Sequence, residues 1–156
     1  MDLTTNLELN KPESGFRNWA DEINANWDAI DTAIAALKSD CLNVYFYRIG
    51  GAIYAGTQVV VTFPFACTLT ACYLRARNSG SVKVDIWKGD YASAVPADAN
   101  SICGGNEPEI SSGYKDADTT LTSWTKAIVA GDSLVLNIDS CTSINGLNVA
   151  LYYTRT

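Results

Sequence analysis

Apolar residues follow two different periods along this chain, and the change falls near residues 39–43. In the first stretch Ile23, Ile30 and Leu37 recur every seven residues, and Ala20, Trp27 and Ile34 form a second series with the same period. Such spacing marks the d and a positions of a heptad. Asn18 is suited to cap a helix, and Asp21 and Glu22 place negative charge on the first turn, where the helix dipole favours it. The pattern predicts a helix beginning near Trp19. Its frame extends back to Phe16 and forward to Cys41, roughly 26 residues and about 39 Å in all. One such helix cannot bury its stripe alone. It can fold back on the rest of the chain as an amphipathic helix, or it can pack with copies of itself. Isoleucine at both a and d shifts preference from dimers towards trimers, and Trp27 is wide for a two-stranded seam. The expected arrangement is therefore a parallel trimeric stalk with Phe16, Ala20, Ile23, Trp27, Ile30, Ile34 and Leu37 in the seam and Cys41 near the axis.

Beyond residue 43 the period drops to two. Val82, Val84 and Ile86 alternate with Lys83, Asp85 and Trp87, which reads as a half-buried strand. Leu134, Leu136 and Ile138 repeat the pattern, as do Leu147, Val149, Leu151 and Tyr153, and less cleanly Val59, Val61 and Phe63. Turn chemistry separates these runs at Asn78-Ser79-Gly80, Lys88-Gly89-Asp90, Gly131-Asp132 and Asn145-Gly146, the last a strong hairpin pair. With Val44 to Ile49, Thr68 to Arg77 and Thr120 to Val129 added, about seven or eight strands are expected. They predict a mainly β fold with an N-terminal helix, its β domain an antiparallel sandwich or jelly roll. Residues 91–114 contain Pro96, Gly104, Gly105, Pro108 and Gly113 and little periodicity. They read as a loop of about 24 residues, long enough to be functional or packed against a neighbour in the trimer.

Composition sharpens this division. The chain has 156 residues, 47% hydrophobic and 18% charged, with a net charge of −6. Residues 1–42 hold eight acidic side chains against three basic ones, the remainder nine against eight. We read residues 1–15 as an attachment segment, 16–42 as the stalk and 43–156 as the β head. The attachment segment, with Leu7, Leu9 and Pro12 its candidate contacts, is too polar to pack independently and is expected to become ordered against something else. Its opening residues, Met1 to Glu8, are polar and acidic, unlike a secretory leader. The acidic balance argues against phosphate-backbone binding, so no nucleic-acid partner is expected. No apolar run approaches the length of a membrane span, and no membrane insertion is expected.

Candidate chemistry is sparse. The chain has no histidine, so its serines, threonines and cysteines lack the usual activating base. Glu107 and Glu109 could be imagined as a glycosidase pair, but nothing in the sequence tunes one of them upwards. Asp116 and Asp118 alternate as calcium ligands do, without the further oxygen ligands a site needs, and read as a solvated loop. No catalytic residue, metal or cofactor is therefore expected. Five cysteines, Cys41, Cys67, Cys72, Cys103 and Cys141, lack zinc or redox spacing, and are expected to remain reduced as small apolar residues. Trp87, Tyr91, Tyr114 and Trp124 are the candidate ligand-binding residues, as aromatic platforms for sugar rings, against the alternative that they belong to the core or an interface.

Two groups of motifs carry a family resemblance. Thr4-Thr5-Asn6-Leu7, Leu9-Asn10-Lys11-Pro12-Glu13, Asn18-Trp19 and Ile23-Asn24-Ala25-Asn26-Trp27-Asp28-Ala29-Ile30-Asp31 resemble the N-terminal segment of many tailed-bacteriophage tail or virion fibres. Phe63-Pro64-Phe65-Ala66-Cys67-Thr68-Leu69, Val84-Asp85-Ile86-Trp87-Lys88, Pro108-Glu109-Ile110-Ser111-Ser112, Leu121-Thr122-Ser123-Trp124 and Ala130-Gly131-Asp132-Ser133-Leu134 resemble the β-sandwich domain of the same class. The resemblance implies a virion-attached homotrimeric fibre or decoration protein. Its N-terminus would hold a capsid, collar or tail protein, and its β domain would point outwards. Because the chain is shorter than most such fibres and lacks a long shaft, a head fibre, collar appendage or short spike fits better than a long tail fibre. A host-surface or mucosal glycan is the expected outer partner if there is one.

Overall fold

The computed structural model describes residues 19–156, with side chains from residue 23 onward. The chain divides into two compact units, Met1–Ser39 and Asp40–Thr156. In the first, helix α1 spans Trp19–Leu37, about 28 Å at 1.5 Å per residue. Its end is a tightened turn in which the Lys38 amide reaches Ala35 O at 3.2 Å, and strand β1 (Ser39–Tyr47) starts at once. Cys41 therefore lies on a strand, not at a helical a position, and the stalk reading of residues 16–42 overruns the helix at its C-terminal end. The proposed N-cap Asn18 falls outside the described residues. Along the heptad stripe, Ile30 is 45% and Leu37 76% exposed, while Ile23, Trp27 and Ile34 are half-buried.

The second unit is a curled antiparallel sheet of seven strands. After β1 come β2 (Gln58–Thr62), β3 (Cys67–Asp90), β4 (Glu109–Asp118), β5 (Ala127–Ile128), β6 (Asp132–Thr142) and β7 (Gly146–Arg155). The sheet is organised by β3, a single strand of 24 residues. Its first half pairs with β7, from Cys67↔Arg155 to Ala76↔Leu147. Its second half pairs with β6, from Ser81↔Thr142 to Asp90↔Asp132. β6 and β7 thus follow one another along β3 and do not form a hairpin together, so Asn145-Gly146 is not the two-residue turn its sequence suggests. Likewise Asn78-Ser79-Gly80 does not end a strand, and the two expected strands Thr68 to Arg77 and Ser81 to Lys88 are one.

Those two punctuated segments lie opposite each other and form a crease. The Asn78 side chain spans it, donating from Nδ2 to Ser143 O at 2.6 Å and accepting from the Asn145 amide at 3.0 Å. These bonds replace the ladder hydrogen bonds that the bend interrupts. The link between β1 and β2 crosses the same line, with Arg48 N bonded to Asn145 O and Ile53 N to Ile144 O. On the other edge β4 shifts register between Arg75↔Lys115 and Gly80↔Gly113. The positive φ of Ser112 (52°) on β4 and of Ser143 (70°) in the link between β6 and β7 marks the bend. Folding the sheet over this line turns Leu69, Leu74, Val84, Ile86, Leu134, Leu136, Ile138, Leu147 and Leu151 into one core. A register shift between Leu69 and Ala71 moves the inward phase from Leu69 to Cys72. A bulge of this kind hides strict alternation in the sequence.

Three further expectations change. The stretch 91–114 is not one loop: Pro96 is buried, Asp98–Asn100 forms a 3-10 turn, Ser101 bridges to Trp87, and β4 begins at Glu109. Only Ala127–Ile128 of the expected strand at 120–129 is extended and paired. The strand carrying Val82, Val84 and Ile86 is buried on both faces in its middle, with Asp85 3% and Trp87 8% exposed.

Candidate functional site

The four candidate aromatic residues do not make one platform. Trp87 is buried, its Nε1–H donated to Asp85 Oδ2 at 2.6 Å, and Trp124 is buried with its Nε1–H donated to Asn106 O at 3.0 Å. Both rings are closed to a ligand, because a buried indole satisfied at its nitrogen is a core element. Tyr91 and Tyr114 are exposed. Tyr91 borders a cavity of about 160 Å³ with Val60, Val95 and Pro96, and Tyr114 stands on β4. Among the other named residues, Leu7, Leu9, Pro12 and Phe16, with the side chain of Ala20, lie outside the described residues.

Of the four carboxylates singled out by sequence, Asp118 and Glu107 have structural partners. Asp118 is no solvated loop residue: Oδ1 accepts from the amides of Thr120 and Leu121, each at 2.8 Å, and from Thr120 Oγ1 at 2.9 Å. Burial, the largest influence, pushes its carboxyl up. The hydrogen bonds from Thr120 and Leu121 and the charge of Lys126 outweigh it and hold the group below its ordinary value. Glu107 is paired with Lys83 at 2.9 Å. That hydrogen bond, with one from its own backbone, lowers its carboxyl. Among the described residues no cluster of three or more metal-ligating side chains occurs. All five cysteines are free thiols. Burial pushes the Cys72 thiol up to about 12, helped by Asp116 and Asp118, and burial raises Cys103 as well.

These lowered carboxylates give an acid dependence with a definite sign. The stability they contribute is complete above their ordinary values of about 4 and is lost as pH falls through the lower folded values. Asp139, raised chiefly by burial and further by Asp85 and Glu107, acts in the opposite direction. Asp90 is lowered as well, chiefly by the Ser93 hydroxyl and amide, and three lowered groups against one predict that the urea midpoint falls between about pH 5 and pH 2.5. An unchanged midpoint across that range would contradict the assignment.

The best-developed surface is one that the candidate residues did not include. On the outer side of the first half of the sheet, Tyr45 and Tyr47 of β1, Tyr152 of β7 and Tyr73, Arg75 and Arg77 of β3 alternate with core residues, and Lys115 of β4 stands opposite Arg75. Tyr45 and Tyr47 stack at 6.2 Å, and Arg77 donates to Tyr47 Oη at 3.1 Å. Tyr73 and Tyr152 meet edge to face at 5.2 Å. A Cβ at Gly146 would meet Tyr45 Oη at 2.7 Å, so glycine there makes room for the tyrosine hydroxyl. A groove of about 550 Å³ runs between β3 and β4, lined by Tyr73, Leu74, Arg75, Lys115, Asp116 and Ala117. The Tyr-x-Arg-x-Arg alternation is visible in the sequence. The register that sets Arg75 directly opposite Lys115 and Tyr73 opposite Ala117 is not.

No family model matches the chain, and no curated protein matches it. Among solved structures it is similar to a chain of the Nora virus structure at 12% identity and TM-score 0.39, over 78% of this chain and 57% of that one. It is similar to the Agl-KA catalytic domain at 9% identity and TM-score 0.37, over 76% and 26%. It is also similar to a chain of the cyanophage Pam1 capsid asymmetric unit at 14% identity and TM-score 0.30, over 76% and 84%. The chain thus spans little more than half of the first of these and about a quarter of the second. Likeness at this level assigns neither a family nor an activity.

Proposed function

We propose that this chain is a non-enzymatic structural appendage of a bacteriophage particle, of the head-fibre, collar or short tail-fibre kind. In this reading residues 1–15 hold a capsid, collar or tail protein, and residues 16–37 form a trimeric coiled-coil stalk. The curled sheet serves as a jelly-roll-like sandwich head displayed for surface attachment, with no cofactor, nucleic acid or membrane insertion. The observation that carries it is the heptad stripe of α1, which leaves Ile30 and Leu37 open to solvent in a single chain beside a β unit that already has its own core. Large apolar side chains repeated at d positions are stabilised when copies cover them.

Sedimentation equilibrium of the full chain tests the stalk. The expected mass at micromolar concentration is three times 16.8 kDa. Replacing Ile30 and Leu37 together by Asp is expected to give a folded monomer, because three carboxylates would meet in each of two seam layers. A monomeric wild-type chain would sink the trimer, and wild-type incorporation of a chain lacking residues 1–15 into particles would sink the anchor. A second reading, adhesion to a host-surface or mucosal glycan, is favoured by the exposed tyrosines and cations of the outer sheet face, and is compatible with the first.

A further inference from the structure

The groove between β3 and β4 juxtaposes two unpaired cations with an aromatic ring. Arg75 and Lys115 occupy directly opposed positions of an antiparallel pair, where like charges destabilise a sheet. Neither has an ion pair or side-chain hydrogen bond among the described residues, in contrast with Lys83, Lys88 and Arg155, each of which is paired. The chain as a whole carries −6, so concentrating positive charge on one sheet face needs its own explanation. Asp116 also lines the groove; it is in register with Leu74, one position along from the Arg75–Lys115 pair, and no ion pair joins it to either cation among the described residues.

Next to this pair stands Tyr73, 40% exposed and propped edge to face by Tyr152, itself 44% exposed. Opposite Tyr73, Ala117 keeps the groove low, so a flat ring can lie against the tyrosine without meeting a long side chain. The volume of about 550 Å³ falls within the roughly 300–1,000 Å³ usual for small-ligand sites. We infer that this groove binds an acidic saccharide, a chain of uronate-type sugars. The pyranose face would rest on Tyr73, and the sugar carboxylate would lie between Arg75 and Lys115. A guanidinium offers a carboxylate two parallel N–H donors, and an ammonium adds a point charge beside them. Bringing an anion between the two cations also removes the repulsion that the empty pair carries. The inference gives the attachment surface a ligand class, and stands on geometry separate from the stalk: saccharide binding can fail while the trimer stands, and the reverse.

Isothermal titration of the full chain decides it, using oligomers of galacturonate, glucuronate and mannuronate, the methyl ester of the galacturonate oligomer as a neutral counterpart, and poly-L-glutamate as a polyanion without sugar rings. At least one uronate oligomer is expected to bind, weakening with salt. The ester is expected to bind about tenfold more weakly, as loss of one charge-assisted contact implies. Arg75→Gln and Lys115→Gln should each weaken uronate binding by a similar factor with thermal melting unchanged, and Tyr73→Leu should weaken ester and acid alike. The proposal is overturned if no uronate oligomer binds, if either Gln variant binds as the wild type does, or if poly-L-glutamate binds as tightly as the sugar.

Discussion

Replacing Gly80 by Ala should lower the stability of the β unit by about 2–3 kcal/mol, close to a 10 °C fall in melting temperature for a unit of this size. A Cβ at this position would lie 2.3 Å from Thr142 O, 2.8 Å from Ile144 Cγ1 and 3.0 Å from Ile144 N. Two of those atoms are backbone, and both belong to the segment that Asn78 clamps across the crease, so neither can withdraw without opening the fold line. Gly113, its ladder partner, supplies the control, because the nearest atoms to a Cβ there are 3.7 and 3.8 Å away. Gly113→Ala is expected to change stability by no more than about 0.5 kcal/mol. Thermal or urea unfolding of the two variants side by side measures the contrast, and equal midpoints would show that the crease tolerates the added carbon.

Asp85→Ala is expected to cost about 3 kcal/mol. The Asp85 carboxyl is 3% exposed, and it accepts from Ser101 Oγ at 2.6 Å, the Ile86 amide at 2.7 Å and Trp87 Nε1 at 2.6 Å. It therefore ties the segment after the 3-10 turn to the middle of β3. Removing it strands buried donors, each of which costs about 1–3 kcal/mol when left without a partner. Asp85→Asn fits the same space but turns an NH₂ towards a donor, so it should recover only part of the loss. Urea unfolding followed by tryptophan fluorescence reads both the stability and the environment of Trp87. An Ala variant within about 0.5 kcal/mol of wild type would mean that the network does not hold the segment.

The heptad of α1 and the alternation from Val82 to Ile86 were legible because each is a local period, and side chains on one element need no other element to define a face. The candidate site was much less legible. Trp87 looks solvent-facing in an alternating strand, and only the return of residues 96–101 over β3 buries it. The glycines and asparagines at 78–80 and 145–146 are turn residues by every local criterion, and they do turn the chain, but as two halves of one crease and not as two hairpins.

What the sequence determined by itself was the order of parts: a helix with one apolar stripe, then a series of short-period strands around an apolar core, in an acidic chain without histidine. Tertiary structure decided which strands are neighbours and in what register. It joined two predicted strands into β3, moved Cys41 from a helix to a strand, and withdrew Trp87 and Trp124 into the core. It also placed Tyr73, Arg75 and Lys115 on one groove. The physical reason is that backbone hydrogen bonds between strands are alike at every register, so the pairing is chosen by burial and close approach of residues far apart in the chain. Arg75 and Lys115 are 40 residues apart, and the short-range pattern around each is the same whether they face each other or not.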